Sequence, residues 1–155
     1  MDKNRRSRWR MRLYLSLIGA WRRLTLGTRV MLVEGDRIYL VRHTYISGWH
    51  LPGGGVEPGE TAAAGAAREV AEESAYRVTG ALQLFGLYHS TLATNRDHVA
   101  LYVGRQFDEA RTFAANAEIA AFGWFSIDAL PEGTTEPTRQ RVAEVFRGAP
   151  QRQAW

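Results

Sequence analysis

The amino-acid sequence predicts an α+β fold built on a mixed β-sheet, and three observations support this prediction. Apolar runs rich in β-branched residues recur along the chain, which is typical of strands. One segment near the middle and another near the end have the composition of helices. The chain has 155 residues, of which 45% are hydrophobic, which is enough for one core. We therefore expect one compact domain, and the sequence contains no repeat or low-complexity segment.

The apolar runs predict the strands. Residues 29–33 and 37–41 are joined by Glu34-Gly35-Asp36, which indicates a β-hairpin. Further strands are expected at residues 77–89, 98–107 and 119–125.

Two segments predict helices. Residues 61–74 contain six alanines and follow a turn at Pro58-Gly59, so that a helix should begin near Thr61. A second helix should run from about residue 137 to residue 147, because Pro137 suits a first turn and Gly148 a helix end. Its apolar face consists of Val142, Val145 and Phe146.

The first of these helices carries a cluster of carboxylates. Residues three and four positions apart share a helix face, so Glu69 should lie beside both Glu72 and Glu73, with Arg68 pointing toward Glu72. Like charges at this spacing repel by roughly 0.2–0.5 kcal/mol per pair unless a cation lies between them. Carboxylates without cysteine favour Mg²⁺, with Mn²⁺ as the alternative, over Zn²⁺. The same charge run could also be an ordinary solvated face.

A glycine-rich loop precedes the acidic helix and strengthens the metal interpretation. Between Pro52 and Pro58 the chain lacks side chains at three successive positions, which lets backbone N–H and C=O groups approach a ligand closely. The loop glycines are Gly53, Gly54, Gly55 and, after Pro58, Gly59.

The spacing of loop and helix resembles the signature of the Nudix hydrolases. Gly54, five residues, Glu60, seven residues and then Arg68-Glu69-Val70-Ala71-Glu72-Glu73 agree with seven of the nine fixed positions. The two departures are Ala75, where the family has glycine, and Tyr76, where it has an aliphatic residue. Glycine at this position suits a helix that ends in a left-handed conformation, and other residues adopt that conformation at a cost of about 1–2 kcal/mol. Ala75 therefore bears on how the helix ends and not on the carboxylates. The flanking segments 48–52 and 124–131 also resemble the family.

The resemblance implies a fold, a reaction and roles for individual residues. The fold is an α/β/α sandwich, and the reaction is Mg²⁺-dependent hydrolysis of a diphosphate linkage in a nucleotide-like substrate. The implied metal ligands are Glu69, Glu72, Glu73 and the Gly53 carbonyl, with Glu60 and Arg68 in support. Glu69 is one candidate for the base that activates water; Glu118, His89 and His98 are the others.

Substrate recognition is less constrained by the sequence. The expected substrate-binding residues are Gly53, Gly54, Gly55, Arg42, Trp49 and Tyr88, and Tyr45 and Phe113 are further aromatic candidates for stacking on a base. A nucleoside triphosphate and a nucleoside diphosphate derivative fit equally well. The alternative function is a non-catalytic module that binds nucleotides.

The positive charge of the chain is concentrated at its N-terminus. Residues 1–23 have a net charge of +7 and the remainder −3, so we expect no nucleic acid partner for the domain at 25–150. Residues 8–26 combine arginine with apolar residues, which suits peripheral contact with an anionic membrane or packing on the domain or a second subunit in a homodimer. The apolar run of nine residues is too short to span a bilayer. We expect separate tails at 1–24 and 151–155 and a cytoplasmic location at or near the inner face of a membrane.

Overall fold

The computed structural model describes residues 24–92 and 95–155 of the chain. That part of the chain contains seven strands and two helices. They are β1 Thr25–Glu34, β2 Arg37–His43, α1 Ala62–Glu73, β3 Tyr76–Val78, β4 Gln83–Ser90, β5 Asp97–Gly104, β6 Phe107–Glu109, β7 Ile119–Ser126 and α2 Glu136–Arg147.

A mixed five-stranded sheet forms the centre of the molecule, in the order β4-β5-β1-β2-β7. β1 runs parallel to β5, whereas the other neighbouring pairs are antiparallel. The predicted hairpin between β1 and β2 is confirmed: Glu34 pairs with Arg37, and Gly35 takes the positive φ of 60° that the tight turn requires.

The two helices cover opposite faces of this sheet. Alternate residues of β1 and β2 point to opposite sides, so each strand contributes to two cores. Val30 and Val41 pack with Ala66 and Val70 of α1, while Met31 and Leu40 pack with Val142 of α2. The expected α/β/α sandwich is therefore confirmed.

Two of the predicted strands are each divided in the structure. Residues 77–89 form part of β3 and most of β4, separated by a turn around Gly80, and residues 98–107 form most of β5 and the start of β6. The short strands β3 and β6 pair with each other in a second, two-stranded sheet. The Gln106 carbonyl accepts hydrogen bonds from the amides of Thr79 and Gly80, which ties the two breaks together. The sequence prediction was wrong here because strand composition continues on both sides of each short break, and composition does not show where the chain moves to another sheet.

Both predicted helices are confirmed. α1 begins after Thr61, whose hydroxyl accepts a hydrogen bond from the Ala64 amide at 3.1 Å. α2 begins one residue before Pro137 and ends at Gly148, which has a left-handed φ of 64°.

The structure describes the C-terminal end of the chain but little of the basic N-terminal segment. The basic segment at residues 8–26 lies largely outside the described residues, although its last two residues, Thr25 and Leu26, begin β1. The C-terminal residues 151–155, expected to form a tail, pack on the domain: the Trp155 amide donates to the His89 carbonyl at 2.8 Å, and its ring lies 5.6 Å from that of Tyr88. None of the helices in the described part of the chain is long and apolar enough to span a membrane.

Candidate functional site

The glycine loop pairs with the first half of β1. The amides of Thr28 and Val30 donate to the carbonyls of Gly54 and Pro52, each at 2.8 Å, so the loop runs alongside the strand. Gly53 has a φ of 147°, and a Cβ atom there would lie 2.1 Å from the Thr28 carbonyl oxygen. Only glycine allows the loop to lie this close to the strand.

The carbonyl of Gly53 differs from those on either side of it. The four neighbouring carbonyls each accept a hydrogen bond from another part of the protein, and no described residue donates to the Gly53 carbonyl. In the described part of the chain, this oxygen is thus left without a protein donor, and its role as a cation ligand stays a prediction. The four engaged carbonyls are those of Leu51, Pro52, Gly54 and Gly55, and their donors are Arg29, Val30, Thr28 and Arg68.

Arg68 connects the loop to the helix. Its guanidinium donates to Glu60 at 2.9 Å and to the Gly55 carbonyl at 3.0 Å, which produces the pairing of Glu60 and Arg68 that the family resemblance implies. The hydrogen bond from Arg68 lowers the pKa of Glu60. The same guanidinium also donates to Glu69 at 2.8 Å and to Glu72 at 3.2 Å, and so lies between these two carboxylates.

Glu69 lies close to the glycine loop and is largely buried. Its side chain is 13% exposed, and a Cβ atom on Gly54 would lie 2.5 Å from its carboxylate oxygen. Burial raises the pKa of Glu69, and the charges of Glu73 and Glu72 act in the same direction, although the hydrogen bond from Arg68 opposes the shift. A carboxylate with a raised pKa is a better proton acceptor than an ordinary surface glutamate.

Glu73 points inward from the last turn of α1. Its two oxygens are hydrogen-bonded to the ring Nε2 of His43, at 2.6 Å, and to the Gly53 amide, at 2.9 Å. His43 could not be identified from the sequence, because a single histidine at the end of an apolar strand gives no signal for a partner 30 residues away. The third carboxylate, Glu72, has a side chain that is 59% exposed.

The three glutamates thus share one end of α1 but do not converge on a single point. Within the described residues, no three acidic, histidine or cysteine side chains are arranged as a finished metal site. Arg68 lies between two of the carboxylates and His43 holds the third. The donor set nevertheless suits Mg²⁺, because carboxylates and a free backbone carbonyl are the oxygen ligands that this ion prefers.

The other candidate bases occupy different places. Glu118 lies just before β7, where its carbonyl accepts from the Thr44 amide, and its charge acts on the Tyr45 hydroxyl together with those of Glu69 and Glu73. His89 and His98 lie on β4 and β5 with their rings 5.4 Å apart, and neither is hydrogen-bonded to a glutamate of the helix. Through its contact with Thr44, the neighbour of His43, Glu118 therefore lies on the same side of the molecule as the glutamates of α1.

The expected substrate-binding side chains do not lie together: Tyr88 lies in the core, whereas Arg42 and Trp49 contact each other. Tyr88 is fully buried, and its hydroxyl donates to Glu144 of α2 at 2.9 Å. Its prediction as a substrate-binding residue is wrong, because it packs in the core on the α2 side of the sheet, opposite α1. The Arg42 guanidinium lies 5.4 Å from the Trp49 ring, and Trp49 in turn packs on Phe125.

Of the other two aromatic candidates, one is exposed near the carboxylates. Tyr45 is 74% exposed, and its ring lies 5.2 Å from the ring of His43. Phe113 packs edge-on against Phe122 at 4.9 Å, with the Arg111 guanidinium 5.1 Å from its ring.

The exit of α1 shows how the chain accommodates Ala75. Ser74 ends the helix in an extended conformation, with φ −145°, and not in a left-handed one. Arg111 donates to the last carbonyls of the helix, those of Ala71 at 2.6 Å, Glu72 at 2.9 Å and Ser74 at 3.3 Å. A distant arginine thus satisfies groups that a glycine cap would otherwise satisfy.

Tyr76, the second departure, has a packing role. Its hydroxyl accepts a hydrogen bond from the Trp124 indole at 2.8 Å, and its ring lies edge-on to those of Tyr39, Phe107 and Trp124. An aliphatic side chain could fill the space but could not accept this hydrogen bond.

Comparison with known proteins agrees with the fold and identifies the family. Residues 23–146 match the family model described as the NUDIX domain. A Bacillus subtilis (strain 168) protein with the provisional name 8-oxo-dGTP diphosphatase is 31% identical over 122 residues, which are 79% of this chain and 78% of that protein. A MutT-like protein of Streptomyces ambofaciens is 33% identical over 120 residues, 77% of this chain and 75% of the relative. The crystal structure of a MutT NUDIX hydrolase from Burkholderia pseudomallei superposes with a TM-score of 0.69, at 24% identity, and covers 79% of this chain and 98% of that one.

Proposed function

The chain belongs to the Nudix family of hydrolases, and on this premise we propose that it is a Mg²⁺-dependent pyrophosphohydrolase of nucleotides. As a family member it is a hydrolase of phosphoric anhydride bonds, and such enzymes generally use divalent cations. The observation that carries the proposal is the position of Glu69 and Glu73 beside a glycine loop whose Gly53 carbonyl accepts no hydrogen bond from any described residue, with Glu72 linked to the same loop through Arg68.

The residues that would hold the cation are these three glutamates and the Gly53 carbonyl. When bound, Mg²⁺ would neutralise the charge of the diphosphate and make its phosphorus more electrophilic. Glu73 is already held in place, whereas Glu69 and Glu72 share Arg68 and would have to exchange that partner for the cation.

Glu69 is the best candidate for the base. Its position against Gly54 would allow it to accept a proton from a water molecule next to the loop. The water oxygen forms a bond to phosphorus while the bridging P–O bond breaks, and the bridging oxygen leaves with the departing phosphate group. Arg68 and Glu60 hold the loop against the helix during this step.

Nucleoside triphosphates are the first substrates to test. The name of the B. subtilis relative refers to 8-oxo-dGTP, and this chain covers most of that protein's length. Tyr45 is an exposed aromatic ring near Glu69, Glu73 and Glu118, and we propose that it stacks on the base.

The decisive experiment compares Glu69→Gln with wild type on a panel of nucleoside triphosphates, 8-oxo-dGTP, ADP-ribose, dinucleoside polyphosphates and nucleotide sugars. Loss of the base should lower kcat by about 10²- to 10⁴-fold. Glu109→Gln, an exposed change on β6, is the matched control and should leave turnover unchanged.

Near-normal turnover by Glu69→Gln would remove Glu69 from the mechanism. Wild-type protein that binds nucleotides with Mg²⁺ but hydrolyses no member of the panel would instead establish a binding module, which is the alternative that the sequence leaves open.

A further inference from the structure

His43 and Glu73 form a buried pair beneath the glycine loop. The imidazole of His43 is 2% exposed and the carboxylate of Glu73 is 8% exposed, and the ring Nε2 lies 2.6 Å from Oε1 of the carboxylate. The two residues come from different elements, the end of β2 and the last turn of α1. This pair therefore joins the sheet to the end of the helix that carries the three glutamates.

The direction of the hydrogen bond follows from the chemistry of the two groups. A carboxylate accepts hydrogen bonds, so Nε2 of His43 carries the proton that it donates to Glu73. The other ring nitrogen, Nδ1, is buried and has no hydrogen-bond partner among the described residues. Glu73 is thus the only hydrogen-bond partner of the His43 ring in the described part of the chain.

The consequence for Glu73 is that both of its oxygens are fixed. Oε1 accepts from His43, and Oε2 accepts from the Gly53 amide at 2.9 Å. Glu72, the adjacent residue, has a largely exposed side chain that accepts a hydrogen bond from Arg68. A flexible glutamate loses rotamer freedom when it binds a cation, whereas Glu73 has already lost it on folding.

We propose, on the premise of the cation site described under the proposed function, that His43 is a positioning residue that presents Glu73 to the divalent cation. By fixing the carboxylate that also accepts from the Gly53 amide, His43 raises the affinity of the site for metal before any substrate binds. Hydrogen-bond donors behind metal-ligating carboxylates typically change metal affinity by about 10- to 100-fold when they are removed.

The test measures Mn²⁺ binding to nucleotide-free protein, by the loss of the electron paramagnetic resonance signal of the free ion. His43→Leu removes the donor and should weaken Mn²⁺ binding by about 10- to 100-fold. His43→Gln keeps an N–H group near the position of Nε2 and should restore most of the affinity. His50→Leu is the matched control, because its ring lies 5.8 Å from that of His43 but its Nε2 contacts the Ser47 carbonyl and no glutamate. Circular dichroism and thermal unfolding of each variant show whether the fold is retained.

A second measurement needs no metal and no variant of His43. In the nitrogen-15 spectrum of the imidazoles of metal-free protein, the His43 ring should show a protonated Nε2 whose proton exchanges slowly with water, and Glu73→Gln should shift it. An Nε2 without a proton would overturn the inference, even if the His43 variants unfold.

The possible results separate this inference from the proposed function. Equal Mn²⁺ affinity for wild type and His43→Leu, equal losses for His43→Leu and His43→Gln, or no Mn²⁺ binding by wild type would each overturn the positioning role. His43-dependent Mn²⁺ binding in a protein that hydrolyses none of the nucleotide panel would support the positioning role and remove only the enzymatic function.

Discussion

Gly53 shows how much of the site depends on one missing side chain. Its amide donates to Glu73, and its φ of 147° places it against the Thr28 carbonyl. We expect Gly53→Ala to lower the free energy of unfolding by about 3 kcal/mol or more, because the added Cβ must displace backbone in a conformation that alanine avoids. Urea unfolding measures this loss.

Gly55 provides the control for that prediction. A Cβ atom there would meet nothing within 4 Å, so Gly55→Ala should change stability by no more than about 0.5 kcal/mol. Similar losses for the two variants would show that the loop is generally intolerant and that close approach at Gly53 is not the cause.

Tyr45 carries a prediction about substrate binding. If its exposed ring stacks on the base, Tyr45→Ala should raise KM by about tenfold, because stacking on an aromatic side chain contributes about 1–3 kcal/mol per base. Tyr45→Phe keeps the ring and should keep KM. Steady-state kinetics with the best substrate of the panel measures both, and an unchanged KM for Tyr45→Ala would contradict stacking.

Residues close in sequence were predictable, and residues joined only by the fold were not. Helical spacing was enough to place Arg68 beside Glu72, and their side chains are in contact at 3.2 Å. The contact between His43 and Glu73 depends on how β2 lies against α1, and no local pattern encodes it. The burial of Tyr88 in the core could not be predicted either, since an aromatic residue on a strand suits a core and a binding site equally well.

At the scale of single elements, α1 depends on a distant residue for its end. Arg111 donates to three of the last carbonyls of the helix, in the place of the glycine that the family signature has at position 75. We expect Arg111→Ala to lower the free energy of unfolding by about 1–2 kcal/mol, since hydrogen bonds from charged groups stabilise by about 1.5–3 kcal/mol when buried and less when exposed. Urea unfolding is again the measurement.

The control for Arg111 is Arg105→Ala. Arg105 is exposed between β5 and β6 and has no hydrogen bond or ion pair within the described residues, so its removal should change stability by no more than about 0.5 kcal/mol. If Arg111→Ala were equally harmless, the exit of α1 would have to be stable without an arginine cap.

The elements also show where sequence patterns stop being informative. Helix bounds followed from Thr61, Pro137 and Gly148, because capping residues act on their own turn. Strand bounds did not, because pairing decides where a strand ends: β3 pairs with β6 in the second sheet, whereas β4, a few residues later, pairs with β5 in the main sheet.

At the scale of the whole molecule, the sheet separates the carboxylate site from a second polar cluster. On the α2 side, the fully buried Arg141 donates to Glu144 at 2.7 Å, and its guanidinium lies 4.1 Å from the Tyr88 ring and 5.5 Å from the Trp155 ring. The C-terminal residues therefore pack on a core, although residues 151–155 were expected to form a separate tail.

Trp155 should contribute to stability and not to catalysis. We expect Trp155→Ala to lower the free energy of unfolding by about 2–4 kcal/mol, because it uncovers Tyr88 and Arg141. Because the indole lies across the sheet from α1, kcat at a temperature where the variant is folded should equal that of wild type. Thermal unfolding tests the predicted loss of stability, and initial rates test the unchanged kcat. A lowered kcat in folded protein would show that Trp155 also affects the active site.

The position of Arg68 determines which charge a bound cation would have to replace. Without a metal, the carboxylates of Glu69 and Glu72 already share a resident positive charge that is anchored to Glu60 and Gly55. Cation binding at these two glutamates, as proposed above, would therefore be an exchange of counter-ions and not the filling of a bare acidic cluster. Arg68 offsets part of the repulsion between the glutamates, so an incoming ion would gain only the difference between its own attraction and that of an arginine.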